Sequence, residues 1–205
     1  MTRVAAPAPL AALMLLAATF AATTALCAEA PLDVIARSIQ KEGTTKTKSI
    51  HLTFEHGTVK DEYTLQEILP DRLHMIRSTA GHKLELIAIS PLTYTRWDGG
   101  AWASSPMARS PTDMSALTGI LLKGMTQVKE LPATTKAGKK QRNFAAAMTW
   151  TNHGSEHRGK LSIAISSVTN LPLSLAFSGT CSGAPCSFQQ TFGYGAGAKI
   201  DAPIP

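Results

Sequence analysis

Pro70-Asp71-Arg72-Leu73-His74-Met75 constrains this chain more than any other stretch, because a proline turn opens there into an alternating strand in the middle of a long antiparallel series. Upstream, Ile50, Leu52 and Phe54 alternate with His51, Thr53 and Glu55, the pattern of a half-buried strand. His56-Gly57-Thr58 turns the chain into a strand over 61–69, Pro70-Asp71 into one over 72–78, and Ala80-Gly81-His82 into one over 83–89. A strand over 92–97, the hairpin signal Asp98-Gly99-Gly100 and a short strand around Trp102 follow. Four more strands, over 142–152, 158–168, 171–178 and 187–194, complete the series.

Two helices frame or interrupt the strands. The first runs over 31–41, with Pro31 in its first turn and Leu32, Ile35 and Ile39 at spacings of three and four. The second runs over 111–123, where Ser110 is the N-cap, Pro111 takes the first helical position and Gly124 ends the helix. Its apolar stripe is Met114, Leu117, Ile120 and Leu121. So many strands in one flat sheet would expose apolar faces and edges. The expected fold is therefore mainly β (α+β): a curled antiparallel sheet forming a half-open barrel, covered by the N-terminal helix and the inserted amphipathic helix.

The first residues set the compartment. Arg3 is followed by an uncharged stretch whose apolar part runs from Leu10 to Ala22, in outline a secretory signal peptide. Ala/Thr dilution and the early Pro7 and Pro9 argue against a membrane-spanning helix. Residues 1–28 are read as the signal peptide, with cleavage after Cys27, Ala28 or Ala30, and 29–205 as a single domain. The expected location is periplasmic. Lipid anchoring at Cys27 is the minority reading, since it wants a small residue before the cysteine and Leu26 stands there.

Of three cysteines, Cys181 and Cys186 survive processing, and Gly179-Thr-Cys-Ser-Gly-Ala-Pro-Cys-Ser187 reads as a disulfide across a hairpin tip. A zinc site would need two more ligands. The formal charge of +6 invites a nucleic-acid partner, but the basic residues are not interleaved with aromatics, and none is expected. Lys136, Lys139, Lys140 and Arg142 form a compact basic patch suited to anionic headgroups, at about 1 kcal/mol per charge. An ordinary solvated turn competes with that reading.

No residue set points to catalysis: there is no G-x-S-x-G elbow, P-loop or H-E-x-x-H. His153-Gly154-Ser155-Glu156-His157 has the donors for zinc or copper, yet it reads as a turn and no distant third ligand stands out. Neither a metal nor a cofactor is expected. A barrel of about eight strands is filled by side chains or holds one small ligand. The candidate hydrophobic lining is Leu52, Phe54, Tyr63, Leu65, Leu84, Leu86, Tyr94, Met148, Trp150 and Phe177 from strands, with Met114, Leu117 and Leu121 from the second helix. Mutual packing of these side chains is the competing reading.

Helix, long meander, and a helix inserted after the sixth strand together resemble the superfamily of outer-membrane lipoprotein carriers and related lipid-binding exported proteins. The residues that carry the resemblance are Lys48 to Phe54, Leu69-Pro70-Asp71-Arg72-Leu73, and the tail from Phe192-Gly193-Tyr194-Gly195 to Ile200-Asp201-Ala202-Pro203. The resemblance implies a half-barrel that takes up a lipid, an acyl chain or a lipidated protein, as a monomer and without catalysis. An arginine that helps control the lid in the lipoprotein carriers has no match here. The alternative is a cell-envelope module that recognises a protein or extended peptide without bound lipid.

Overall fold

The computed structural model describes residues 29–107, 122–152, 155–195 and 199–204. The predicted signal peptide, and most of the predicted second helix with Met114, Leu117 and Leu121, lie outside the described residues. One helix, α1 (Pro31–Gly43), precedes six strands: β1 (Thr47–His56), β2 (Val59–Ile68), β3 (Arg72–Thr79), β4 (His82–Ile89), β5 (Leu92–Trp97) and β6 (Ala103–Pro106). Five follow: β7 (Met125–Lys136), β8 (Lys139–Asn152), β9 (Ser155–Ser166), β10 (Pro172–Cys181) and β11 (Ala184–Tyr194). Residues 122–124 are helical, where the second helix is predicted to end.

All eleven strands form one antiparallel sheet in the order β6-β5-β4-β3-β2-β1-β11-β10-β9-β8-β7. β6 and β7 are its two edges, so the sheet is a curled half-barrel that does not close. The chain winds outward from β1 to β6, then β7 to β11 return to pair with the other side of β1. Four hairpin turns owe their tightness to paired left-handed residues: Ala80-Gly81, Asp98-Gly99, Ala137-Gly138 and Ser182-Gly183 all have positive φ. That geometry matches the strand twist and favours glycine at the second place. The β2–β3 and β4–β5 connections instead carry cis Leu69-Pro70 and Ser90-Pro91 peptide bonds.

β7 is absent from the strands expected from sequence. Most of its length is exposed, it contains Pro132, and its pairing with β8 is interrupted by two register shifts. A strand exposed on both faces has no apolar alternation to betray it.

Helix α1 packs over the inner face of the β7–β11 half. Val34, Ile35 and Ile39 join Phe144, Ala146, Met148, Leu161, Ile163, Leu175 and Phe177 in the main core. The expected stripe is thus shifted: Leu32 is 38% exposed, and Val34 takes the buried place. Gly159 and Gly179 face each other in β9 and β10 at the floor of this core. A β-carbon on Gly159 would lie 2.4 Å from the Ser178 carbonyl oxygen and 2.6 Å from the Phe177 ring. Only glycine lets the backbones and that ring approach so closely.

The last turn of α1 is tied down by charge. Lys48 Nζ on β1 donates to Glu42 Oε1 of α1 at 2.6 Å and lies 2.9 Å from Glu67 Oε2 on β2, with all three residues buried. Burial alone pulls the Lys48 pKa down, but its bonds to the two carboxylates outweigh that and hold it above the ordinary 10.5. The Cys181–Cys186 disulfide spans the β10–β11 turn at a Cα separation of 5.7 Å, and both cysteines belong to the main core.

Four measurements test this account. Gly159→Val should destabilise the fold by about 1–3 kcal/mol in urea unfolding, because the added carbons have no space to enter. Lys48→Met should cost about 3–5 kcal/mol by stranding two buried carboxylates. In the wild type the Lys48 contribution is fully present below the ordinary lysine pKa and is lost as pH rises through the higher folded value, so stability should fall in strongly alkaline titration. Reduction of the disulfide should cost only about 2 kcal/mol, since the loop it closes is short, and should lower Tm by several degrees with β-structure retained by circular dichroism.

Candidate functional site

Strand register sorts the inner face of β1–β5 into rows. Ile50, Leu65, Met75 and Leu86 face one another across four strands, and Leu52, Tyr63, Arg77, Leu84 and Trp97 form the next row. Lys48, Glu67, Leu73 and Ala88 make the row on one side, and Phe54, Asp61, Thr79 and His82 the row on the other. An apolar band is therefore bounded by a polar cluster at each end.

Exposure separates this face from its counterpart on β7–β11. Leu65, Leu73 and Ala88 are buried, but Ile50, Tyr63, Met75, Leu86 and Met107 around them are only partly so. Leu52, Phe54 and Leu84 are likewise half-buried. Under α1, by contrast, Phe144, Leu161 and Ile165 are fully enclosed. The half-barrel thus has a sealed half and a half whose apolar inner wall stays partly accessible.

The predicted lining residues fall into three groups. Leu52, Phe54, Tyr63, Leu65, Leu84 and Leu86 all lie on the accessible wall. Met148 and Phe177 share the inner face but are 1% and 2% exposed in the α1-covered core. Trp150 packs beside them, stacked on His157 at 4.6 Å and edge-on to Phe177 at 5.0 Å. Tyr94 lies on the opposite face. It is opposite Ile87 in the β4–β5 hairpin and packs with Ile87 and Ile200, while Leu86 faces Thr95. The turn at Ser90-Pro91 pairs even-numbered with odd-numbered positions, so Tyr94 cannot share a face with Leu84 and Leu86. Counting register across that turn is the signal that finds this.

The two polar clusters differ in saturation. At one end Lys48 is held by both carboxylates. At the other, Arg77 Nη2 donates to Asp61 Oδ2 at 3.1 Å, and the Arg77 guanidinium lies 5.6 Å from the Tyr63 ring centre. Asp61 Oδ1 and Arg77 Nε are buried yet lack a hydrogen-bond partner. Burial raises the pKa of the Tyr63 phenol, and the Arg77 charge partly offsets this.

The outer face carries its own polar and apolar groups. Glu85 bridges His74, at 2.8 Å, and Arg96, at 2.7 Å. Desolvation opposes the Glu85 carboxylate, but its bonds to Arg96 and His74 prevail and hold its pKa below the usual value. In the basic patch, Lys136, Lys139 and Lys140 are exposed at the β7–β8 turn. Arg142 is not free, because it donates through Nε and Nη2 to Glu130 at 2.7 and 2.9 Å.

The described members of the histidine cluster are engaged in other contacts. His153 lies outside the described residues, and Glu156 is engaged by Arg158 at 2.6 Å. His157 is stacked on Trp150, on the face opposite Glu156. Among the described residues no group of three or more histidine, cysteine or acidic side chains is placed to hold a metal ion. Among them, too, no helix is long and apolar enough to cross a membrane.

No protein-family model matches the sequence, and no curated protein does. Solved structures do match in fold. The lipoprotein LppX of Mycobacterium tuberculosis superposes with a TM-score of 0.58 at 8% identity, over 83% of this chain and 98% of that one. LprF of Mycobacterium bovis gives a TM-score of 0.60 at 9% identity, over 85% and 97%. At such identities the likeness is one of fold: this chain shares the fold of LppX and LprF.

Proposed function

We propose that this chain is an exported, non-catalytic protein that holds an acyl chain or a lipidated partner against the inner wall of β1–β5. The observation that carries this reading is the contrast between the two halves of one inner face. Helix α1 seals the β7–β11 half, while Ile50, Leu52, Tyr63, Met75, Leu84 and Leu86 remain only half-buried across the other. An apolar concave wall of that kind is a binding surface for an apolar ligand. Each enclosed methylene contributes about 0.8 kcal/mol, so partial enclosure of one chain suffices for reversible binding. The shared fold with LppX, itself a lipoprotein, supports an envelope setting.

On this reading the lining is narrower than the sequence suggests. Met148, Trp150 and Phe177 serve the core under α1, and the ligand wall is made by β1 to β5. Lys136, Lys139 and Lys140 supply charge for an anionic membrane surface during loading or release. The competing peptide-recognition reading would use an open sheet edge. β7, the long edge, is interrupted by two register shifts and carries Pro132, Lys129, Glu130 and Lys136, features that blunt strand addition.

Native mass spectrometry of the mature protein from its own compartment, followed by organic extraction, should find a stoichiometric lipid. Leu86→Asp should lower affinity for a fluorescent fatty acid at least tenfold by placing a charge in the wall, with circular dichroism unchanged. An empty protein that takes up no fatty acid would move the function to protein recognition.

A further inference from the structure

The polar cluster formed by Asp61 and Arg77 is not explained by the fold. In the other cluster of the inner face, Lys48 bonds both Glu42 and Glu67, and together they tie α1 to β1 and β2. Asp61 and Arg77 connect only β2 and β3, which are already paired along their length. They also leave hydrogen-bonding capacity unused: Asp61 is 8% exposed, yet its Oδ1 has no partner, and neither has the buried Arg77 Nε. A buried polar atom without a partner costs about 1–3 kcal/mol. Both orphaned atoms belong to one ion pair, at one end of the apolar wall.

We propose that Asp61 and Arg77 form a head-group subsite for a neutral acyl lipid bearing a hydroxyl or amide, whose oxygen accepts from Arg77 Nε while its O–H or N–H donates to Asp61 Oδ1. The inference rests on the lipid-binding reading and adds the chemistry of the head. The pair is itself neutral, so an anionic head would meet the Asp61 carboxylate and a cationic head the Arg77 guanidinium, each at close range beside a part-buried pair. A neutral group that both donates and accepts satisfies both atoms. From Asp61 the wall runs along β2 through Tyr63 and Leu65 to Glu67, about 20 Å at 3.3 Å per residue. That is room for a long acyl chain with its head at one end. Trp97, 55% exposed in the same row as Arg77, stands at the outer margin as an aromatic surface for the incoming lipid.

The test compares monooleoylglycerol, methyl oleate and oleate at pH 8, each displacing a fluorescent apolar probe from the intact mature protein. Monooleoylglycerol should bind about tenfold more tightly than methyl oleate, which shares its chain but lacks a donor, and more tightly than oleate. In Asp61→Leu/Arg77→Met the part-buried pair becomes apolar at similar volume, a change that folds tolerate. This double variant should retain methyl oleate binding and lose the preference for monooleoylglycerol. Equal wild-type affinity for the ester and the glyceride, tighter binding of oleate, or a preference that survives the double replacement would each overturn the head-group subsite and leave lipid binding intact. If none of the three lipids displaces the probe, the lipid-binding reading falls and the subsite with it.

Discussion

The burial of Lys48 between Glu42 and Glu67 is the contact on which the layout of the molecule turns. A lysine taken out of water is stable as a cation only where opposite charge and hydrogen bonds replace its hydration. Here the replacements come from two different elements, the last turn of α1 and the middle of the sheet. The helix end is therefore pinned beside β1 and β2, and Val34, Ile35 and Ile39 are directed over the β7–β11 half. Tyr194, opposite Lys48 in register, adds to this: its hydroxyl donates to the Pro172 carbonyl at 2.8 Å, and burial, with the Glu42 charge, keeps the phenol protonated well above the usual range. Charge position decides which half of the inner face becomes core.

That division explains why one sheet can have two kinds of inner surface. On β7–β11 an aromatic ladder of Trp150, Phe177 and Phe188 has ring centres 5.0 and 5.5 Å apart; glycine at 159 admits the Phe177 ring, and glycine at 179 admits the Arg158–Gly159 backbone of β9. On β1–β5 the side chains are similar in polarity but are not sealed by α1. The difference is one of cover, not of composition.

How much of this was legible depended on which physical signal each element carries. Turns with glycine at a left-handed position or proline between strands announced nearly every connection, and alternation placed most strands within a few residues. β7 gave no such signal, because a strand exposed on both faces has no reason to alternate. Helix α1 was legible, but its buried stripe was offset, since Leu32 and Val34 both fit a helical period and only the partner surface chooses between them. Tyr94 was misplaced because alternation within a strand says nothing of parity across a turn. The Glu42–Lys48–Glu67 and Asp61–Arg77 clusters left no trace in sequence: their members fit no motif and look like ordinary surface charges until register brings them together.

The tail after β11 has a consequence for the thinner half of the molecule. Ile200 and Ile204 lie against Ile68, Ile87, Ile89, Tyr94 and Trp102 on the outer surface of β2–β5, and Arg72 Nη1 clasps the Ile200 carbonyl at 2.7 Å. Strands β2, β4 and β5 thus share a small hydrophobic core on the convex side, and β3 adds the Arg72 hydrogen bond. These strands are therefore braced from the convex side, whatever the concave side meets. In the proposed lipid-binding role, the C-terminal strap would let the wall be filled and emptied while its backing holds still.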